Sequence, residues 1–214
     1  MKNLTIFSAI SAYSAVNYLK KERFVKEIEK SKRNKEKIAL LIVLFTLTLL
    51  PDAALSKVYL TREKALKSAF PQADKIDKKI IRLSKEQKHR ISQKSGQPIN
   101  FSYKSVYIAE KDSKRLGYAI VDQVKGKSSF IKYLLAIAPE GTIRNVVILT
   151  YRGTKGAEVR HERFRKQFIG KRENDPLQLG VDIDAITTAT ISSRSITDGV
   201  RKLMSFWQEV FGSI

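Results

Sequence analysis

Four strand-like runs follow one another between Asn100 and Tyr151 with only short turns between them, and this succession restricts the fold more than any other feature of the chain. Phe101, Tyr103, Val106, Tyr107 and Ile108 make the first run, which ends in the charged turn Lys111 to Lys114. Gly117 to Val124 is the second, and the Lys125-Gly126-Lys127 turn leads to the third, Ile131 to Ala138. Pro139-Glu140-Gly141 then turns the chain into the fourth, Thr142 to Tyr151. β-Branched and aromatic residues in runs bounded by Gly, Pro and charged clusters read as strands, and turns this short make them an antiparallel meander. Upstream, Leu60 to Phe70 reads as a helix capped by Thr61 and stopped by Pro71. Lys75 to Leu83 is compatible with a strand and Ser84 to Ser92 with a short helix. Ala157 to Phe168 reads as helical, with Phe164 and Phe168 four apart on one face as core residues. The expected fold class is α+β: an antiparallel sheet flanked by helices, preceded by an N-terminal signal or membrane-anchor segment.

The densest chemistry lies in Asp184-Ala185-Ile186-Thr187-Thr188-Ala189-Thr190-Ile191-Ser192-Ser193, where hydroxyls surround one small residue and the chain then runs into a helix. From Ser195 on, Ile196, Val200, Leu203, Met204, Trp207, Val210 and Phe211 recur at helical spacing, so Ser192 or Ser193 is the expected N-cap. Free backbone N–H groups, the positive end of the helix dipole and several hydroxyls would then converge on one anionic group, with Ala189 leaving the approach open. Threonine and serine before an amphipathic helix also serve as plain caps, and read so the segment needs no ligand.

This stretch resembles the flavinylation motif of the FMN-binding domain family, in which Asp, two variable residues, Ser or Thr, usually Gly, then Ala and Thr precede a helix. Asp184, Thr187, Ala189 and Thr190 match that pattern, while Thr188 stands where glycine is usual. The segment Thr150 to Val159, with Gly153, Thr154, Gly156 and Glu158, followed by Phe164 and Phe168, also resembles these proteins. The family includes the covalent-flavin subunits of ion-pumping NADH:quinone and ferredoxin:NAD oxidoreductases. The resemblance implies FMN as the cofactor, joined by a flavin transferase through its phosphate to Thr190. It further implies Asp184, Thr187, Thr188, Ala189, Ser192, Ser193, Thr154, Gly156 and Glu158 as cofactor-binding residues, and a membrane electron donor or redox complex as partner. With Thr188 in the glycine position, the turn should hold a φ open to a β-branched residue, or else store strain.

The N-terminal quarter bears on location. Ile38 to Leu50 is aliphatic and uncharged and follows the basic run Lys30 to Lys37, so it reads as a signal h-region or a short membrane anchor. Ala54-Leu55-Ser56 offers a cleavage site that would make Lys57 the mature N-terminus. Residues 1–37 are long for a signal n-region. They are read either as a misassigned start or as a basic cytoplasmic tail that orients the anchor. The expected organisation is therefore 1–37, a basic segment; 38–56, the signal or anchor; and 57–214, the FMN-binding domain, outside the cytoplasm as a periplasmic or cell-surface domain.

Composition removes several alternatives. With no cysteine among 214 residues, disulfides, thiolate metal sites, Fe–S clusters and covalent c-type haem are excluded. His89 and His161, far apart, make no metal-ligand spacing, and neither a Gly-x-Ser-x-Gly elbow nor a phosphate-binding glycine loop occurs. The formal charge of +20 raises nucleic acid as a partner. Its basic residues are spread rather than gathered on one recognition helix, so attraction to anionic lipid and steering of an anionic partner are expected instead. Three functions follow from these readings. The leading one is an extracytoplasmic flavoprotein that relays electrons, with no catalytic side chain and no metal. The others are an FMN-dependent reductase of a small substrate, using Tyr151 or His161 as proton donor, and a noncatalytic basic module that binds lipid or polyanion.

Overall fold

The computed structural model describes residues 57–151, 153 and 156–212, together with helical positions between 22 and 39. The chain divides into two compact units, Met1–Ala53 and Ala54–Ile214. Apart from Ile38 and Ala39, the segment read as signal or anchor lies outside the described residues, as does Thr154. Among the described residues no helix is long and apolar enough to cross a membrane.

The meander is present. Strands β1 (Lys57–Val58), β2 (Lys75–Arg82), β3 (Tyr103–Lys111), β4 (Lys114–Lys125), β5 (Phe130–Ile137) and β6 (Ile143–Tyr151) form one six-stranded sheet in the order β1-β6-β5-β4-β3-β2. Every neighbouring pair is antiparallel. Asp112 and Ser113 close the β3–β4 hairpin with φ of 48° and 60°. Positive φ at both central residues gives the mirror-image turn whose twist suits paired strands, and an aspartate tolerates it better than a β-branched residue would.

Helix α1 (Arg62–Ala69) is capped as the sequence indicates, with the Lys64 N–H donating to Thr61 Oγ1 at 3.3 Å. Helix α2 (Lys85–Ser95) starts in a full capping box between Ser84 and Gln87, which satisfies two N–H groups at the helix start. The stretch Ala157 to Phe168 departs from a continuous helix. It breaks into a 3-10 turn (Ala157–Arg160), a single α turn, α3 (Glu162–Arg165), and a second 3-10 turn (Lys166–Phe168), with His161 extended between the first two. Val159 and Phe164 are both fully buried. Five residues apart at 100° per residue, they would stand about 140° apart on one helix, so the break turns both inward.

The C-terminal helix α4 (Thr190–Phe211) lies along one sheet face and is about 33 Å long at 1.5 Å per residue. Its Ile196, Val200, Leu203, Phe206 and Trp207 pack with Tyr118, Ile120, Tyr133, Leu135, Phe164 and Phe168 in the larger core. Phe164 and Phe168 meet edge to face at 5.4 Å, as core partners. Gly199 permits a close approach of helix to sheet: a Cβ there would stand 2.5 Å from the Tyr133 hydroxyl and 2.7 Å from Val124. A smaller core on the other face joins Ala65, Leu66, Ala69 and Phe70 of α1 to Tyr107, Ala119, Leu134, Ala136 and Val147.

Candidate cofactor site

The start of α4 differs from the expected serine cap. A 3-10 turn, Thr187–Ala189, runs straight into the helix, so helical backbone begins at Thr190 and the N-cap is Ala189, which contributes no side-chain bond. Ser192 and Ser193 therefore fall inside the first turn, where both are buried. Ser193 Oγ accepts the Ile186 N–H at 3.2 Å and so ties the turn to the helix from within. The turn is right-handed throughout. Among the described non-glycine residues, positive φ occurs at Asp112, Ser113 and Leu177, and Thr188 is not one of them. A β-branched residue stands at the usual glycine position without the strain that positive φ would impose.

This geometry leaves donors exposed at the helix start. The first N–H groups of a helix have no partner within it, and here no side chain caps them. Thr190 is exposed, and its Oγ1 donates at 3.3 Å to the Thr187 carbonyl. Beside it Ser192 is 1% exposed, yet its Oγ has no hydrogen-bond partner. These groups line a cavity of about 200 Å³ formed by Lys127, Gly156, Thr187, Thr188, Ala189, Thr190, Ile191 and Ser192.

Two other elements complete the wall. Gly156 has a φ of 93°, and a Cβ on it would stand 2.5 Å from Ser192 Oγ and 2.8 Å from the Tyr151 hydroxyl. Glycine is thus required for both conformation and space. Lys127 comes from the β4–β5 turn, which Ser195 Oγ fastens to α4 by donating to the Lys125 carbonyl at 2.7 Å. By sequence Lys127 is only a turn residue. Its place beside the helix start depends on a contact across 70 positions of chain, which no local pattern reveals.

The remaining expected site residues are distributed around this cavity. Asp184 lies in a neighbouring cavity with Arg163, Phe164, Gln167, Ala185, Ile186 and Thr187, so Thr187 is the shared wall. The Asp184 backbone is clasped by Gln167, another residue that sequence reasoning misses. The Asp184 N–H donates to Gln167 Oε1 at 2.7 Å, and Gln167 Nε2 donates to the Asp184 carbonyl at 3.3 Å. Glu158 sits in the 3-10 turn that packs on Thr187–Ala189, with Oε2 buried and without a hydrogen-bond partner. It does not line the cavity of Thr190. His161 belongs to a separate cavity with Tyr59, Asn145, Arg160 and Arg165. No group of three or more His, Cys, Asp and Glu side chains is placed to hold a metal ion among the described residues.

The Thr190 cavity fits the phosphate end of FMN. An uncapped helix start, Ser192 with its orphaned hydroxyl, and the cationic residue Lys127 line one space that a single Cβ at residue 156 would narrow. Residues 126–205 match the family model described as FMN-binding domain, a span that opens on the β4–β5 turn and ends inside α4. One component of the proton-translocating ferredoxin:NAD(+) oxidoreductase complex of Clostridium ljungdahlii is 33% identical over 107 residues. That alignment covers 46% of this chain and 57% of the relative, so the chain spans little more than half of the relative's length. The crystal structure of Shewanella oneidensis NqrC superposes with a TM-score of 0.50 at 16% identity, covering 72% of this chain and 89% of that one, and shares the fold. The chain thus resembles the FMN-binding domain family through residues 126–205, the span that carries both walls of the cavity, and its cofactor is FMN.

Proposed function

We propose that this chain is an extracytoplasmic flavoprotein that relays electrons within a membrane redox complex, with FMN joined through its phosphate to Thr190. The observation that carries this reading is the pairing of the exposed Thr190 hydroxyl with the unpartnered, buried Ser192 Oγ at a helix start that no side chain caps. A plain capping segment would satisfy its own donors; this one leaves them facing a cavity. When bound, FMN supplies the electron-transfer chemistry through its ring system. With FMN bound, Ser192 Oγ would donate to a phosphate oxygen and Lys127 would offset the charge that a phosphodiester retains, while the exposed Thr190 that follows the turn Thr187–Ala189 would be open to a flavin transferase. Gln167 holds the chain on the Asp184 side of that turn. Outer-sphere transfer requires no acid or base from the protein, so none of these residues is given a proton to move.

The similarity to a component of a ferredoxin:NAD(+) oxidoreductase complex supports a membrane redox complex as partner. The apolar segment Ile38 to Leu50 behind a basic run supports export of the domain. Co-expression with a flavin transferase should yield protein that stays fluorescent after denaturing electrophoresis, because a phosphoester outlasts the fold. Thr190→Ala should remove that signal while leaving the thermal transition in place. Retention of wild-type fluorescence by Thr190→Ala would refute the linkage.

A further inference from the structure

Helix α1 covers only part of the sheet face on which it packs. On β2, Ile76 enters the core beneath α1 and Ile81 the opposite core. Since side chains alternate along a strand, Ile80 and Arg82 share the face of Ile76. The same alternation from Tyr107, Ala119 and Leu134 puts Tyr103, Gln123, Lys125, Phe130 and Lys132 there too. Register gathers them at one end of the sheet: Arg82 lies opposite Tyr103, Gln123 opposite Lys132, and Lys125 opposite Phe130. Ile80, Tyr103 and Phe130 are 59%, 67% and 56% exposed, and Arg82, Lys125 and Lys132 are exposed beside them. By the same alternation no carboxylate of β2–β5 falls on this half of the face.

We infer that this half-face docks onto an anionic phospholipid surface, with Ile80, Tyr103 and Phe130 entering the headgroup layer and Arg82, Lys125 and Lys132 meeting lipid phosphates. Aromatic and aliphatic side chains interleaved with long cationic ones suit a bilayer interface, where apolar bodies sink and charged ends stay in the headgroups. The centre of a protein interface is depleted of lysine, and here lysine and arginine alternate with the apolar residues. The basic run Lys30 to Lys37 of this same chain has the same sign of charge as this face and so lacks the complementarity an occupant needs.

The chain contains no cysteine, so one introduced thiol reports one position. Gln123→Cys lies within the proposed surface, and Glu86→Cys lies on α2, which packs against the opposite core. Each full-length variant is labelled with a polarity-sensitive dye and reconstituted in zwitterionic phospholipid vesicles, with and without anionic phospholipid. The position-123 dye should shift to the blue and be quenched by nitroxide-bearing lipid only when anionic lipid is present. That response should be lost at high salt and in the Arg82→Gln, Lys125→Gln, Lys132→Gln background, and should be absent at position 86. A position-123 dye insensitive to anionic lipid overturns the inference, whether because it stays in water or because the chain or a second copy already covers it. An equal response at position 86 overturns it as well.

Discussion

At the scale of the residue, Ser192 is the clearest sign that the start of α4 is built for something other than its own closure. A buried hydroxyl without a partner costs about 1–3 kcal/mol, and Ser192 is in that condition while its neighbour Ser193 is bonded to Ile186. Ser192→Ala should therefore leave flavin-free protein as stable as wild type, or more stable by about 1 kcal/mol, while lowering the fraction that carries flavin. Thermal unfolding of the flavin-free form and in-gel fluorescence of the co-expressed form measure the two effects. A variant that loses stability yet attaches flavin normally would make Ser192 a packing residue only. Thr188 shows how a sequence departure can be resolved by backbone. The usual glycine suggests a turn of positive φ, but a right-handed 3-10 turn delivers Thr190 to the helix start without it.

At the scale of the element, α4 is locked to the sheet by charge as well as by its apolar stripe. Asp122 on β4 is paired with Lys104 of β3, and Lys202 of α4 stands 3.1 Å from its other oxygen. All three side chains are largely buried, at 9–16% exposure. Removing the carboxylate would leave two desolvated cations, the costly way to break a buried pair, so Asp122→Ala should lose about 3–5 kcal/mol in denaturant unfolding. A loss under about 1 kcal/mol, the range of exposed pairs, would show that water reaches the cluster. The four strands from Tyr103 to Tyr151 and α1 were legible because each is local: β-branched and aromatic runs, Thr61 as a cap, turn residues between the strands; the charged stretch that forms β2 and α2 was compatible with a strand and a short helix without deciding them. The broken segment Ala157 to Phe168 was not legible, because its spacing fits a helix while burial of both Val159 and Phe164 does not. Thr187, Thr188, Ala189, Thr190, Ser192 and Gly156 were legible as lining one site. Lys127, in that same cavity, and Gln167, in the neighbouring one that holds Asp184, were not, since they reach these places only through tertiary contacts of β4–β5 and of the turn after α3.

At the scale of the whole molecule, a strongly cationic domain depends on its few well-placed carboxylates. Arg90 of α2 grips Glu209 of α4 at 2.6 Å, and that hydrogen bond, against the opposing effect of burial, holds the Glu209 carboxyl below its ordinary value. Burial would raise Asp182, but the N–H of Gln178, Lys171 at 3.0 Å and the N–H of Leu177 outweigh it and leave Asp182 depressed too. Folded values below unfolded ones mean that both contributions are complete above the unfolded values, about 4, and disappear as pH falls through the lower folded values. The melting temperature should accordingly hold between neutrality and about pH 5 and fall steeply below about pH 4. In Glu209→Gln the acid slope should be shallower, with a lower plateau, and a plateau and slope matching wild type would remove Glu209 from the acid transition. Whether the exposed hydroxyl at the start of α4 is the point of attachment is the central question. The direct measurement is mass spectrometry of the peptide spanning Asp182 to Arg194, from protein co-expressed with a flavin transferase. The expected result is the added mass of FMN less water, with fragment ions that place it on Thr190. An unmodified peptide in flavin-bearing protein, or the added mass on Thr187, Thr188 or a serine, would contradict it.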